Sequence, residues 1–236
     1  MLIFAHRGIS GHFPENTLMA FSAAVEAGCQ AIELDVYALE NQLVVIHDRQ
    51  LARTTNGKGN LEDHTLATLA ALDAGRGECV PSLWQVLQLV ANKVLLNIEL
   101  KGADTAELLL ALLIRAQLEL QLDLTTIVVS SFNHQLLQQL RQRHPTLALG
   151  VLIAHRPIDN AAIATLLQAN CLNCDRGFVD AELVADAHQR GVKVYVYTVN
   201  TAREARELAG IGVDGIFCNY PVEARTWLSD LYPLIP

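Results

Sequence analysis

Two histidines, three carboxylates and two cations stand at or beside the ends of short apolar runs. His6 and Arg7 follow LIFA, Glu33 and Asp35 lie within AIELDV, His47 and Asp48 close LVVIHD, and Glu99 and Lys101 close LLNIELK. Apolar runs of this length suit buried strands. A buried strand has no use for Glu, Asp, His, Arg or Lys unless those groups meet in a shared polar site. Glu33 and Asp35 are two residues apart, so they share a strand face. Two carboxylates there repel unless a cation or a proton intervenes. Glu99 and Lys101 repeat the spacing on another run. Carboxylate oxygens are hard ligands suited to Mg²⁺ or Ca²⁺, and no cysteine joins the set to make a soft thiolate site. His6 and His47 offer a proton donor and acceptor, the two tasks that cleaving a phosphodiester requires. Arg7 presents a planar fork for phosphate oxygens and Lys101 a point charge. Together these residues imply a metal-dependent phosphate site, provided that the intervening elements bring the runs together.

The elements that must do so alternate. Strand candidates lie at 2–5, 31–36, 43–47, 94–100, 126–130, 148–152, 171–173, 193–199 and 215–218. Helix candidates lie at 16–27, 82–91, 104–118, 135–143, 159–168, 181–190, 201–210 and 222–230. Ser82, Asp104, Asn133 and Asn200 are start signals, and Gly28, Gly191 and Gly212 sit where helices stop. Such alternation predicts a parallel sheet with helical crossovers. Nine strands are one too many for an eightfold barrel. The link between Val36 and Leu43 is too short for a crossover helix, but it suits a hairpin turning at Glu40 and Asn41. That hairpin would set His47 opposite Glu33; a short extended return to a parallel strand is the alternative. Residues 49–81, with the turn-rich TTNGKG and a short helix near 66–72, read as an excursion over the barrel mouth within one domain spanning 1–236.

Composition narrows the partners. The chain has 236 residues, 51% hydrophobic and 18% charged, with a net charge of -8. That describes a well-buried globular protein. Net negative charge argues against nucleic acid and against polybasic attachment to lipid. The start, MLIFAHRGIS, lacks the basic and long apolar regions of a signal peptide. The richest apolar stretch, 106–122, is interrupted by Arg115, Gln117, Glu119 and Gln121, which makes it an amphipathic helix and not a span. Five cysteines without an export signal read as reduced thiols, and Cys171 and Cys174 as small strand or loop residues. A cytoplasmic protein without a stable membrane anchor is expected.

A series of motifs occurs in order: AHRG at 5–8, PENT at 14–17, AF at 20–21, AIELDV at 31–36, VVIHD at 44–48, RTTNGKG at 53–59, VPSLWQVL at 80–87, NIELK at 97–101, SSF at 130–132, YTVN at 197–200 and GVDGIFCNYP at 212–221. Each alone is weak. The ordered set, spanning nearly the whole chain, resembles the glycerophosphodiester phosphodiesterase family. The resemblance implies an α/β fold, a TIM (β/α)8 barrel with a short insertion near its mouth. It implies catalytic histidines at His6 and His47, metal ligands at Glu33, Asp35 and Glu99, and phosphate contacts at Arg7 and Lys101. Glu15 and Asn16 match a motif that shapes the loop below the site; Asn16 also reads as a helix cap. Asp48 either orients His47 or caps the following turn. Tyr197 stands where the family often has Trp, which keeps an aromatic wall for glycerol and adds a hydroxyl. The loop GISGHF departs from the commoner small-residue loop and brings in His12 and Phe13 as candidate leaving-group contacts.

The implied reaction is hydrolysis of a small-molecule glycerophosphodiester to sn-glycerol 3-phosphate and an alcohol, with Mg²⁺ or Ca²⁺ as cofactor. The nucleophile is either the glycerol 2-hydroxyl, through a cyclic phosphate, or water. Two other readings share the fold: a lysophospholipase D-like activity, against which the 6% aromatic content weighs, and a non-catalytic barrel that binds phosphometabolites. An amidohydrolase barrel would want more histidine ligands.

Overall fold

Eight strands run parallel and close into a barrel. The structure, a computed structural model, describes residues 1–102 and 104–231. Its strands are β1 (Leu2–His6), β2 (Ala31–Leu39), β3 (Gln42–Val45), β4 (Leu95–Leu100), β5 (Ile127–Ser131), β6 (Ala148–Ile153), β7 (Cys171–Asp175), β8 (Lys193–Tyr197) and β9 (Gly215–Cys218). They pair in the order β1-β9-β8-β7-β6-β5-β4-β2, and a β1–β2 pairing closes the ring. The helices are α1 (Leu18–Glu26), α2 (Leu66–Ala70), α3 (Leu83–Val90), α4 (Thr105–Leu120), α5 (His134–Arg143), α6 (Ala162–Leu166), α7 (Ala181–Gln189), α8 (Ala202–Gly210) and α9 (Pro221–Trp227). This is the TIM barrel that the sequence implied.

Strand alternation sorts the side chains into two layers. Ile32, Leu34, Val36, Leu96, Ile98 and Leu100 point outward against Leu83, Val86 and Leu87 of α3 and Leu109 and Leu113 of α4. Burying each such side chain contributes on the order of 1.5–3 kcal/mol. The inward set, Phe4, Ala31, Val128, Cys171, Tyr195 and Phe217, fills the barrel, with Phe4 stacked on Phe217 at 4.6 Å between ring centroids. The next inward positions toward the strand C-termini are His6, Glu33, Asp35 and Glu99. The apolar filling below thus lifts the polar residues to the mouth, where barrels of this kind carry their sites.

β3 is the extra strand, and it is the predicted hairpin. Glu40 and Asn41 have φ of 45° and 60°, the left-handed pair of a type I′ turn. Val36 pairs with Leu100 on one edge and Val45 on the other, so β3 continues the edge that β1 occupies lower down. The ladder ends at Val36–Val45, and the Ile46 N–H then donates to the Asp35 carbonyl at 3.0 Å. His47 therefore leaves the hairpin beyond the paired region, not opposite Glu33 as expected. The excursion that follows holds single turns at Leu51–Arg53 and Leu61–Asp63, then α2, around a small cluster of Ile46, Leu51, Leu61, Leu69 and Val80.

Two caps differ from the sequence reading. Thr201, not Asn200, caps α8 by accepting from the Glu204 N–H, and Thr17, not Asn16, caps α1. Ser82 and Asn133 cap α3 and α5 as predicted. Asp104 stands at the start of α4 without a side-chain cap bond.

Candidate active site

The turn after β1 supplies the first group. Arg7 adopts a left-handed backbone at φ 56°, and Gly8 follows at φ 81°. A Cβ on Gly8 would lie 2.7 Å from the Ala20 backbone, so only glycine fits against α1. The tight turn aims the Arg7 N–H at Glu33 Oε2, at 3.0 Å. It also sets the guanidinium 3.2 Å from Asp35 Oδ2 and lets Nη1 donate to Glu15 Oε1 at 2.8 Å. Asn16, left-handed at φ 58°, clasps Asp35 from the other side. Its amide donates to Oδ2 at 2.9 Å, and its oxygen accepts from the Asp35 N–H. The side chain that suggested a helix cap is spent on a carboxylate instead.

Glu33, Asp35 and Glu99 each offer an oxygen within 4.8 Å of the others. All three are buried. Burial and the neighbouring Asp35 push Glu33 well above the usual carboxylate range, and the same two causes raise Glu99 to about 7. Burial acts on Asp35 too, but Lys101 and Arg7 outweigh it and hold that carboxyl low. Lys101 Nζ lies 2.9 Å from Glu99 Oε1 and 3.3 Å from Asp35 Oδ1. Three carboxylates thus face two cations, and the remaining repulsion appears in the raised Glu33 and Glu99. An all-oxygen set this close, whose two raised glutamates would give up their protons to a bound ion, fits a hard divalent cation.

The two histidines face the same cavity with different outer partners. His6 Nδ1 lies 2.7 Å from the Asn219 side-chain oxygen. An amide oxygen only accepts, so Nδ1 carries the proton and Nε2 presents a lone pair, 3.9 Å from Glu33 Oε2. Burial, then Arg7, lowers the His6 ring to about 4. Asn219 is itself fixed by its N–H, which donates to Asn200 Oδ1 at 2.9 Å. His47 Nδ1 lies 2.5 Å from Asp48 Oδ1. Of the two readings of Asp48, the structure shows the orienting one. Arg53 holds the Asp48 carboxyl down at about 2. Burial lowers His47, as do Arg7 and Lys101, while Asp35 and Asp48 oppose the change.

A cavity of about 150 Å³ collects these groups. Of the residues singled out in the sequence, His6, Arg7, Glu33, His47, Glu99, Lys101 and Tyr197 line it; Asp35 sits just behind, under Arg7 and Lys101. Phe132, Leu152, Tyr197 and Phe217 form an apolar wall facing the charged one. Phe132 meets Tyr197 edge-on at 6.1 Å. The Tyr197 hydroxyl donates to the Ile153 carbonyl at 2.9 Å, so it braces the wall and does not reach inward. His12 and Phe13 line a separate surface hollow, His12 pairing with Glu223, and they do not contribute to this cavity. The sequence reading passed over Asn219, Phe132 and Asn97, which donates to Ser130 Oγ at 2.9 Å. All three stand inside motifs already noted (CNYP, SSF and NIELK), but uncharged polar and aromatic residues within or just after a strand do not draw attention.

Known proteins give the same reading. The model of the glycerophosphoryl diester phosphodiesterase family matches residues 6–223. A glycerophosphodiester phosphodiesterase of Caldanaerobacter subterraneus subsp. tengcongensis is 36% identical, over 93% of this chain and 94% of the relative. One from Bacillus altitudinis is 34% identical over 94% and 96%. A phosphodiesterase from Oleispira antarctica, solved in complex with the product sn-glycerol-3-phosphate, is 29% identical. It superposes with a TM-score of 0.88 and covers 97% of each chain. With the barrel, the acid cluster and the paired histidines in place, this chain belongs to the glycerophosphoryl diester phosphodiesterase family, enzymes that hydrolyse phosphoric diesters.

Proposed function

We propose that this enzyme converts glycerophosphodiesters to sn-glycerol 3-phosphate and an alcohol, with Glu33, Asp35 and Glu99 holding a divalent cation and His6 and His47 moving the protons. The observation that carries this reading is the convergence of both histidines, the acid cluster, Arg7 and Lys101 on one small cavity. A bound Mg²⁺ or Ca²⁺ would supply charge neutralisation at a phosphate oxygen. Arg7 and Lys101 bind the remaining phosphate oxygens and stabilise charge that builds on them. His6, neutral and with its lone pair turned inward, takes the proton from the nucleophile. His47, backed by the Asp48 carboxylate, is the better imidazolium and gives its proton to the leaving alkoxide. The negative phosphodiester itself offsets Arg7 and Lys101, the cations that disfavour a charged His47.

The charged lining of His6, Arg7, Glu33, His47, Glu99 and Lys101 suits the phosphate of a small polar diester. Five free cysteines support a reducing, cytoplasmic setting. No helix among the described residues is long and apolar enough to cross a membrane. Residues 49–81 belong to the same single domain, packed on the hairpin through Ile46, Leu51, Leu61, Leu69 and Val80.

The test is release of sn-glycerol 3-phosphate from glycerophosphocholine and glycerophosphoethanolamine with Mg²⁺, with Ca²⁺ and with chelator. Metal-dependent release is expected. No release under any metal, together with turnover of lysophosphatidylcholine, would transfer the assignment to the lipid reading.

A further inference from the structure

Among the described residues, none of 49–81 lines the cavity, yet this excursion sends one side chain toward it. Arg53 closes the single turn at Leu51–Arg53. Its Nη1 and Nη2 donate to Glu15 Oε2 and Oε1, both at 2.8 Å, a two-pronged grip. Its Nε donates to Asp48 Oδ2. The other Asp48 oxygen faces His47 Nδ1, Arg53 Nη2 itself stands 3.5 Å from that nitrogen, and Glu15 Oε1 also accepts from Arg7 Nη1. A chain of alternating charge therefore runs Arg7–Glu15–Arg53–Asp48–His47, and all three guanidinium nitrogens are engaged.

An exposed ion pair adds little stability, and the Arg53 side chain is 47% exposed. Geometry is a different matter. A carboxylate beside a histidine is free to rotate about its own bonds. Asp48 cannot do so here, because Arg53 holds Oδ2 and leaves Oδ1 directed at the ring. Lysine has no planar fork and could not hold Glu15 and Asp48 together.

We propose that Arg53 is a positioning residue: it fixes the Asp48 carboxylate against His47 and so aims the proton that the leaving alkoxide receives. This rests on His47 being the proton donor. It assigns the excursion a part in the chemistry.

Two substrates separate aiming from mere support. Glycerophosphocholine releases an alkoxide that needs a proton; the p-nitrophenyl ester of glycerol 3-phosphate releases a phenolate that does not. General acid catalysis contributes about 10²–10⁴-fold, so loss of aim should remove a part of it. Arg53→Ala should lower kcat on the choline ester about tenfold and on the nitrophenyl ester less than about twofold. In an Asp48→Asn background, Arg53→Ala should add no further loss on the choline ester, since both act through one ring. Arg53→Lys, which keeps charge and stem, guards against misfolding and should show the same selectivity in smaller measure. Equal losses on both esters, or losses that multiply in the double variant, would overturn the proposal. A wild-type enzyme that turns over neither ester would instead overturn the hydrolase reading beneath it.

Discussion

The Nδ1 of His6 lies 2.7 Å from the side-chain oxygen of Asn219, 213 residues away in sequence. β1 and β9 are neighbours in the closed barrel, so the first strand and the last meet here. The pairing fixes one tautomer and leaves Nε2 as an acceptor. Asn219→Asp would place a carboxylate where the amide oxygen stands, favouring the imidazolium and raising the His6 pKa from about 4. The acid limb of kcat/KM against pH should therefore move to higher pH. An unmoved limb would detach His6 from the proton transfer.

Glu99 links pH, metal and stability. Its folded pKa is raised to about 7, by burial first and Asp35 second, while an unfolded glutamate titrates near ~4.3. Between those values the native chain holds a proton that the unfolded chain has released. This stabilising difference is present at low pH and is lost as pH rises through the folded value. Thermal denaturation of chelated protein should show Tm falling from about pH 6.5 to about pH 7.5, above the range in which the lowered His6 and His47 contribute the opposite slope. Divalent cation should restore it saturably at the upper end, because the ion binds only the native cluster. A Tm flat with pH and indifferent to cation would contradict the cluster as described.

Asn16 has no contact with the cavity, yet it holds Asp35 through both its amide oxygen and nitrogen. Groups that orient metal-binding carboxylates are worth about 10–100-fold in metal affinity. Asn16→Ala should weaken Mg²⁺ or Ca²⁺ binding by that order in calorimetric titration. Affinity equal to wild type would make Asn16 a packing residue only.

Gly8 is held at φ 81° with the Ala20 backbone 2.7 Å from where a Cβ would stand. Gly8→Ala should cost about 1 kcal/mol for the backbone conformation and about 1–3 more for the collision. Tm should fall by several degrees, roughly 2–4 °C per kcal/mol at this size. Activity should fall as well, since the Arg7 N–H bond to Glu33 depends on the same turn.

The sequence carried the barrel because its strands are largely apolar runs, and all but β2, which turns back into the hairpin, lead into a helix that the alternation exposes. It carried the charged half of the site because Glu33, Asp35, Glu99 and Lys101 break those runs, and such breaks are visible without coordinates. What it did not carry depends on direction. Asn16 looks like a helix cap until a left-handed turn points it at Asp35. The Tyr197 hydroxyl looks available for substrate until it is found on the Ile153 carbonyl. His12 and Phe13 precede α1 in a loop whose course sequence does not specify, and they face outward. His47 misses the expected alignment with Glu33 because the ladder stops at Val36–Val45, and its register, run further, would set His47 against Leu34. Arg53 was legible only as part of RTTNGKG; its partners come from 38 and 5 residues away.

The most direct test of the account compares His6→Ala and His47→Ala on glycerophosphocholine and on the p-nitrophenyl ester of glycerol 3-phosphate, with saturating Mg²⁺ or Ca²⁺. If His6 takes the proton and His47 gives it, both variants lose activity on the choline ester, by about 10²–10⁴-fold, while on the nitrophenyl ester only His47→Ala recovers. Recovery of His6→Ala in place of His47→Ala would reverse the roles. Undiminished turnover of the choline ester in either variant would contradict catalysis by the pair.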